Sequence, residues 1–219
     1  MRNMPIKKRS ASQKKAKTAG RPRKKNALNV REALIQAGAE LLKSTSLEEI
    51  SLRKVATLAG VSHVATYHHF ENKNALFSAM AEIGFQKYFD TFQKELARTN
   101  QDFIGRYQAL GWTYFQFIMD NQQFARIMFG GLGKNAKRNP TLSAVSRRTY
   151  RQLHEIIRLG QKTGHLKQGK TREKTLASWA MIHGIAMLFL EGRLQMKNNK
   201  EEMEKFIHSV TEYTYIGML

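Results

Sequence analysis

The sequence predicts an all-α protein, with a small N-terminal helix-turn-helix domain joined to a larger helical domain, about nine helices in all. Three observations predict it. Apolar residues recur at helical spacing along most of the chain, while strand-like alternation bounded by turns is scarce. Only three prolines occur in 219 residues, Pro5, Pro22 and Pro140, so long helices meet few breakers. A glycine turn at Gly60 separates two short amphipathic segments, which is the spacing of a helix-turn-helix.

The chain opens without such periodicity. Its first 25 residues carry 11 Lys or Arg and no acid. Met1 to Asn26 cannot bury enough apolar surface to offset ordering, so it reads as a basic arm, disordered when unbound. Val30, Leu34, Ala37 and Leu41 then share one face of a first helix. Ser51 can cap a second, with Leu52, Val55 and Ala56 inward. Gly60 supplies the positive φ that ends it. Ser62 can cap a third, running to about Phe70. Asn72 begins a fourth, which carries Leu76, Met80 and Ile83 on to about Leu96. Further helices are expected near 102–120, 122–131, 141–163, 171–193 and 200–216, with Gly130 to Pro140 the clearest loop. The expected divisions are an arm at 1–26, a helix-turn-helix domain at 27–76 and a larger helical domain at 77–219.

Composition narrows the function. Hydrophobic residues make up 42%, enough for a core. The net charge of +20 points to nucleic acid or another anionic partner. The charge is uneven, because residues 26–70 balance four basic against four acidic side chains. A nearly neutral head beside a basic arm works through geometry more than bulk charge. The absence of cysteine excludes disulfides, thiolate catalysis and Cys-based zinc sites. No H-E-x-x-H, Walker loop or G-x-S-x-G occurs, and the histidines show no metal-ligand pattern beyond the His68–His69 pair, which lies in the third helix. No catalytic residue, metal or cofactor is therefore expected. The start lacks the apolar stretch of a secretory signal. The apolar run Leu176 to Leu190 has 15 residues, short of the ~20 that span a bilayer. These features predict a cytoplasmic protein with no membrane partner.

The second helix of a helix-turn-helix enters the major groove. Here it would present His63, Val64, Thr66, Tyr67 and His68 outward or at its edges. Imidazole can donate or accept at base edges, the Thr66 methyl can meet a thymine methyl, and the Tyr67 hydroxyl reaches a phosphate. Arg53, Lys73 and the capping residues Ser51 and Ser62 complete the expected DNA-binding set, because helix starts favour phosphate. The other reading makes Tyr67 and Phe70 core aromatics and the histidines surface residues. In the arm, Gly20-Arg21-Pro22-Arg23-Lys24-Lys25 resembles the GRP core of AT-hook peptides, so Arg21 and Arg23 are candidates for a narrow minor groove. A solvated basic tail is the alternative.

The string SLRKVATLAGVSHVATYHHFENKNAL resembles the N-terminal signature of TetR-type transcriptional regulators, a likeness covering about Asn29 to Ala81. Its elements are Ser51, Val55–Ala56, Ala59–Gly60–Val61–Ser62, Ala65, Tyr67, His69–Phe70 and Lys73. Two positions depart from the usual pattern. Val64 stands where many members carry a small residue, and Thr66 where they carry an aliphatic or aromatic one. Further on, Tyr114, Phe117, Phe124 and Met128–Phe129–Gly130 look like the fifth and sixth helices of a subgroup named for a Trp…His-Gly motif, here Trp179, His183 and Gly184. The resemblance implies about nine helices, a homodimer and a C-terminal domain that senses a small molecule.

Thirteen of the 21 aromatic residues lie between Phe77 and Phe129. Such a cluster fills a core or lines an apolar pocket. Tyr88, Trp112, Trp179 and His183 are the candidate ligand contacts, because each pairs an apolar body with a polar tip. A structural Trp179–His183 contact is the alternative for that pair. Leu176, Ala180 and Gly184 on one helix and Met203, Phe206 and Val210 on the last form candidate dimer stripes, although a stripe this wide can also pack internally. Two such helices per subunit would build a four-helix bundle across a two-fold axis. The expected partners are a palindromic double-stranded operator, a second copy of the chain and a small apolar or aromatic effector. The leading reading is a repressor released by that effector. An effector-independent architectural or nucleoid-associated DNA-binding protein is the alternative.

Overall fold

A computed structural model describes residues 24–99, 101–130, 140–195 and 199–218. Nine helices lie among the described residues: α1 (Lys24–Leu41), α2 (Leu52–Ala59), α3 (His63–His69), α4 (Lys73–Leu96), α5 (Phe103–Asp120), α6 (Gln122–Phe129), α7 (Pro140–Lys162), α8 (Thr171–Leu190) and α9 (Lys200–Ile216). The all-α expectation holds. Arg21 and Arg23 of the arm lie outside the described residues. The first helix starts at Lys24, inside the segment expected to be arm.

Local chemistry sets the boundaries in the N-terminal third. The Ser51 hydroxyl accepts from the Lys54 amide at 3.2 Å and starts α2. Gly60, at φ 66°, ends it, with the Val61 amide reaching back to the Ala56 carbonyl at 2.9 Å. A residue with Cβ would be strained in that left-handed position. The Ser62 hydroxyl accepts from the Ala65 amide at 3.1 Å and starts α3. The Asn72 side chain does the same for Ala75 at the start of α4. Farther along, α8 stops at Leu190 and not near 193. Gly192 takes φ 70°, and the Arg193 amide returns to the Leu188 carbonyl at 2.9 Å, which closes the helix.

Helix α4 is the spine. It packs on α1 near its start and on α5, α6 and α7 along its length. Gly84 lets α6 approach, since a Cβ there would stand 2.6 Å from the Met128 sulfur. Two buried clusters result. Leu34, Ile50, Val55, Phe70, Leu76 and Met80 centre the first, which continues to Phe85, Ile127 and Leu142. Phe92, Phe103, Phe115, Ile118, Ile157 and Ile207 centre the second. Met128 and Phe129 pack against both. The division expected at residue 76 therefore falls inside one continuous helix and inside the first cluster. Helix α5 runs through the second cluster, with α4, α7, α8 and α9 around it.

Candidate nucleic-acid interface and apolar cavity

Helix α3 is seven residues long and sits on α2 and α1. It exposes His63, Val64, Tyr67 and His68, which lie on one side. Val64 is 71% and Tyr67 61% exposed, too open for core residues. The aromatic pair thus divides, because Phe70 is buried beneath the Arg31 guanidinium, 5.6 Å from its ring centre. Thr66 corrects the sequence reading. It is 1% exposed, and its hydroxyl donates to the Ser62 carbonyl at 3.0 Å. Its methyl cannot meet a base, because the residue is buried on the inner face of α3. The family's usual aliphatic or aromatic residue at this position was a signal of that burial.

The remaining head residues frame α3. Arg53 is exposed on the first turn of α2, and Lys54 is exposed beside it, a cation that the sequence reading passed over. Ser51 and Ser62 use their oxygens as acceptors in capping. Each keeps an O–H that can donate to a phosphate oxygen. Lys73 has a second occupation. Its ammonium donates to the Glu48 carbonyl at 2.8 Å, with the Phe77 ring 5.4 Å away. This bond ties the loop before α2 to the start of α4. Two of its three N–H donors remain for a phosphate.

A cavity of about 370 Å³ lies between α4, α5, α7 and α8, within the range of small-molecule sites. Tyr88 and Trp179 line it, as the sequence reading expected; Trp112 and His183 do not. Trp112 lies one residue off the cavity face of α5, which is Tyr107, Leu110, Gly111 and Tyr114, and it stacks on Phe115 instead. His183 stands behind the wall. Its Nδ1 is 2.8 Å from the Tyr114 hydroxyl, and its ring contacts Phe129 and Trp179. Burial pushes its pKa below the ordinary value. Trp179 thus both packs on His183 and faces the cavity.

Sequence reasoning missed several lining residues. Tyr107 donates to the Ser178 hydroxyl at 2.8 Å, and burial pushes its own pKa up to about 12. Arg147, Tyr150 and Leu153 come from α7. The spacing of Tyr107, Leu110, Gly111 and Tyr114 at i, i+3, i+4 and i+7 could have identified the α5 face. Nothing local marks α7 as the opposite wall.

The last two helices leave apolar side chains uncovered. Leu176, Ala180 and Leu188 are exposed on α8, and Tyr213 (74%) and Ile216 on α9. A Cβ on Gly184 would meet nothing within 4 Å. Met203, Phe206 and Val210 are half-buried, with Phe206 against Phe189. The expected α9 stripe therefore splits. Ile207 and Thr211 turn inward, and Val210, Tyr213 and Ile216 turn toward the outside. Among the described residues no cluster of His, Cys, Asp or Glu could hold a metal, and no helix is long and apolar enough to cross a membrane.

Comparison with known proteins gives two family matches. "Bacterial regulatory proteins, tetR family" covers residues 34–80, and "Tetracyclin repressor-like, C-terminal domain" covers residues 107–210. The nucleoid occlusion factor SlmA of Marinobacter nauticus is 29% identical over 167 residues, which is 75% of this chain and 82% of that protein. A Rhodococcus sp. RHA1 protein of unknown function shares the fold with a TM-score of 0.73, at 23% identity over 86% of this chain and 95% of that one. The transcriptional regulator FadR of Bacillus subtilis, solved in complex with stearoyl-CoA, has a TM-score of 0.68 at 14% identity, over 86% of this chain and 99% of that one.

Proposed function

The chain belongs to the TetR family of bacterial regulatory proteins and is a DNA-binding transcriptional regulator, not an enzyme; we propose that it is a repressor that binds a palindromic operator as a homodimer and is released by a small apolar or aromatic effector. The observation that carries the effector is the cavity. Its wall includes Phe85 and Tyr88 of α4, the helix whose first residue, Lys73, is bonded to the loop that precedes α2. Twenty-four residues at 1.5 Å rise make α4 a lever of roughly 35 Å. A ligand that favours one seating of α4 thereby favours one placement of α3, in proportion to its differential affinity for the two states. The B. subtilis FadR complex with stearoyl-CoA lends support, since that fold holds a ligand with an apolar chain.

The uncovered apolar residues of α8 and α9 support the homodimer. Two copies of this face meeting about a two-fold axis would bury Leu176, Leu188, Tyr213 and Ile216 in an isologous bundle. Paired α3 helices then require a palindrome with half-sites about one helical turn apart. Tyr67, Arg53, Ser51, Ser62 and Lys73 position the head on phosphates, while His63, Val64 and His68 face the bases. The basic arm, through Arg21 and Arg23, adds counterion release, and its removal flattens the dependence of affinity on salt. The protein acts at the nucleoid in the bacterial cytoplasm.

The test is selection of bound sequences from a random DNA pool, followed by a screen of apolar and aromatic compounds for release from the selected operator. A palindrome and at least one releasing compound are expected. A second reading is favoured by the matches to nucleoid occlusion factors, namely a nucleoid-associated role without an effector. A screen in which compounds occupy the cavity but leave operator affinity unchanged favours that second reading.

A further inference from the structure

The charge on the cavity wall bears on the effector class. Arg147 is the one charged residue among the described residues that line it; no Asp or Glu does so. The sequence from Gly131 to Asn139, which precedes α7, carries no acid either. Among the described residues Arg147 has no ion-pair partner. An organic cation would therefore enter an apolar site that offers it a like charge and no counter-charge, while an anion finds one free guanidinium.

A second observation points to the same place. Tyr88 is 5% exposed and lines the cavity. Its ring is held edge-on by Tyr114 and Phe117, at 5.6 and 5.5 Å. Its hydroxyl has no hydrogen-bond partner among the described residues, whereas the neighbouring hydroxyls of Tyr107 and Tyr114 are bonded to Ser178 and His183. Because Tyr88 lines the cavity, that O–H is available to donate to a ligand oxygen. Burial raises the pKa of the Tyr88 hydroxyl far above the ordinary value, so it remains a donor.

A contact between α7 and α4 lies beside both residues. The Arg148 guanidinium lies 3.5 Å from the centre of the Phe89 ring, which fixes α7 against α4 at that point. Arg147 and Tyr88 are the chain neighbours of this contacting pair, and both line the cavity. We infer that the cavity takes an organic acid with an apolar body, its carboxylate shared between the Arg147 guanidinium and the Tyr88 hydroxyl, and its body among Phe85, Leu110, Phe129 and Trp179. This assignment rests on the effector-cavity reading and adds the ligand's charge and the atoms that hold it.

The test is calorimetric titration of the full chain with decanoate and 2-naphthoate, their alcohols decanol and 2-naphthalenemethanol, and the cation decylammonium. The two acids separate a chain-shaped body from a ring-shaped one. One or both acids should bind about tenfold or more tightly than the matching alcohol, as a charge-assisted bond allows, and the ammonium should bind weakest. Arg147→Gln should abolish the preference of acid over alcohol. Arg147 is exposed, so its replacement leaves the core intact. Tyr88→Phe should weaken the acids several-fold with the circular dichroism spectrum unchanged. Alcohols or the ammonium binding as well as the acids would overturn the assignment while leaving the cavity an effector site. An acid preference that survives Arg147→Gln would overturn it too. No binding by any of the five probes also overturns it, and the operator-release screen then decides separately whether the cavity senses another compound.

Discussion

The DNA-reading head and the cavity are built by opposite means. In the head, each turn is fixed by residues a few positions apart: Ser51 with Lys54, Gly60 with Val61 and Ala56, Ser62 with Ala65, Asn72 with Ala75. In the cavity, the partners come from far along the chain. Tyr107 bonds Ser178, and Tyr114 bonds His183, about seventy residues away. Local bonds make the head a stiff unit of set shape. Contacts between several helices make the cavity depend on how those helices lie, which suits a site that a ligand must reshape. The two regions are nonetheless joined, because α4 runs through both and Met128 and Phe129 pack on both clusters.

The strongest test of that junction is Phe92→Ala. Phe92 is 1% exposed on the sensor side of α4. Its truncation should cost about 3–5 kcal/mol. Head and sensor should still melt as one transition, followed by calorimetry and by amide exchange in α2 and α3. A separate, unshifted transition for the head would break the junction and leave two independent domains.

The same contrast explains what was legible. The second to fourth helices, with their caps, could be read because Ser, Gly and Asn act on backbone groups within one turn. Thr66 was misread because its polar side chain signalled exposure, whereas its hydroxyl is satisfied four residues back by the Ser62 carbonyl. In the sensor half the later helices were read from periodicity, α5 and α9 to within a residue, but periodicity does not say which face meets which. Trp112 has the polar tip of a ligand contact but lies one residue off the cavity face of α5. Arg147 carries no local mark of a lining residue, because only the packing of α7 on α4, seen at Arg148 and Phe89, brings this part of α7 to the cavity wall.

Gly184→Leu separates the sensor's outer surface from its interior. Nothing in this chain stands within 4 Å of a Cβ at Gly184, so a leucine there should leave the subunit folded. Against a partner copy it should block close approach. Operator affinity should fall on the order of a hundredfold, as the two linked heads become independent. Sedimentation should show monomers with unchanged helicity. An intact dimer that still binds its operator would move the interface away from α8.

Within the head, Tyr67 and Thr66 should behave differently although they are adjacent. Tyr67→Phe should weaken binding roughly tenfold on every sequence, the loss of one hydrogen bond to a charged phosphate. Thr66→Ala should lower the melting temperature and leave base preference alone, because the residue is buried. A changed preference in Thr66→Ala, measured against a panel of half-sites, would mean that α3 presents another face to DNA.

The smallest expected effect lies at His183, and its sign is set by burial. Its pKa in the folded protein is lowered by desolvation. Above the ordinary value of 6.5 the ring is neutral in both folded and unfolded chains, and its contribution to stability is fully present. As the pH falls below that value the unfolded chain takes up the proton first, so this contribution declines until the folded ring is protonated as well. The hydrogen bond to Tyr114 responds to the same protonation. Neutral Nδ1 can accept from the Tyr114 hydroxyl at 2.8 Å, whereas a protonated ring has two donors and no acceptor. Losing that bond frees Tyr114 at the cavity wall. Melting temperatures of wild type and His183→Gln, compared between pH 7 and about 5, should diverge from a common trend, with wild type falling more steeply. The other titrating groups cancel in the comparison. Ligand binding to the wild type should weaken over the same interval. Equal slopes would mean that His183 is as well solvated as a free imidazole and that the sensor wall is open at that point.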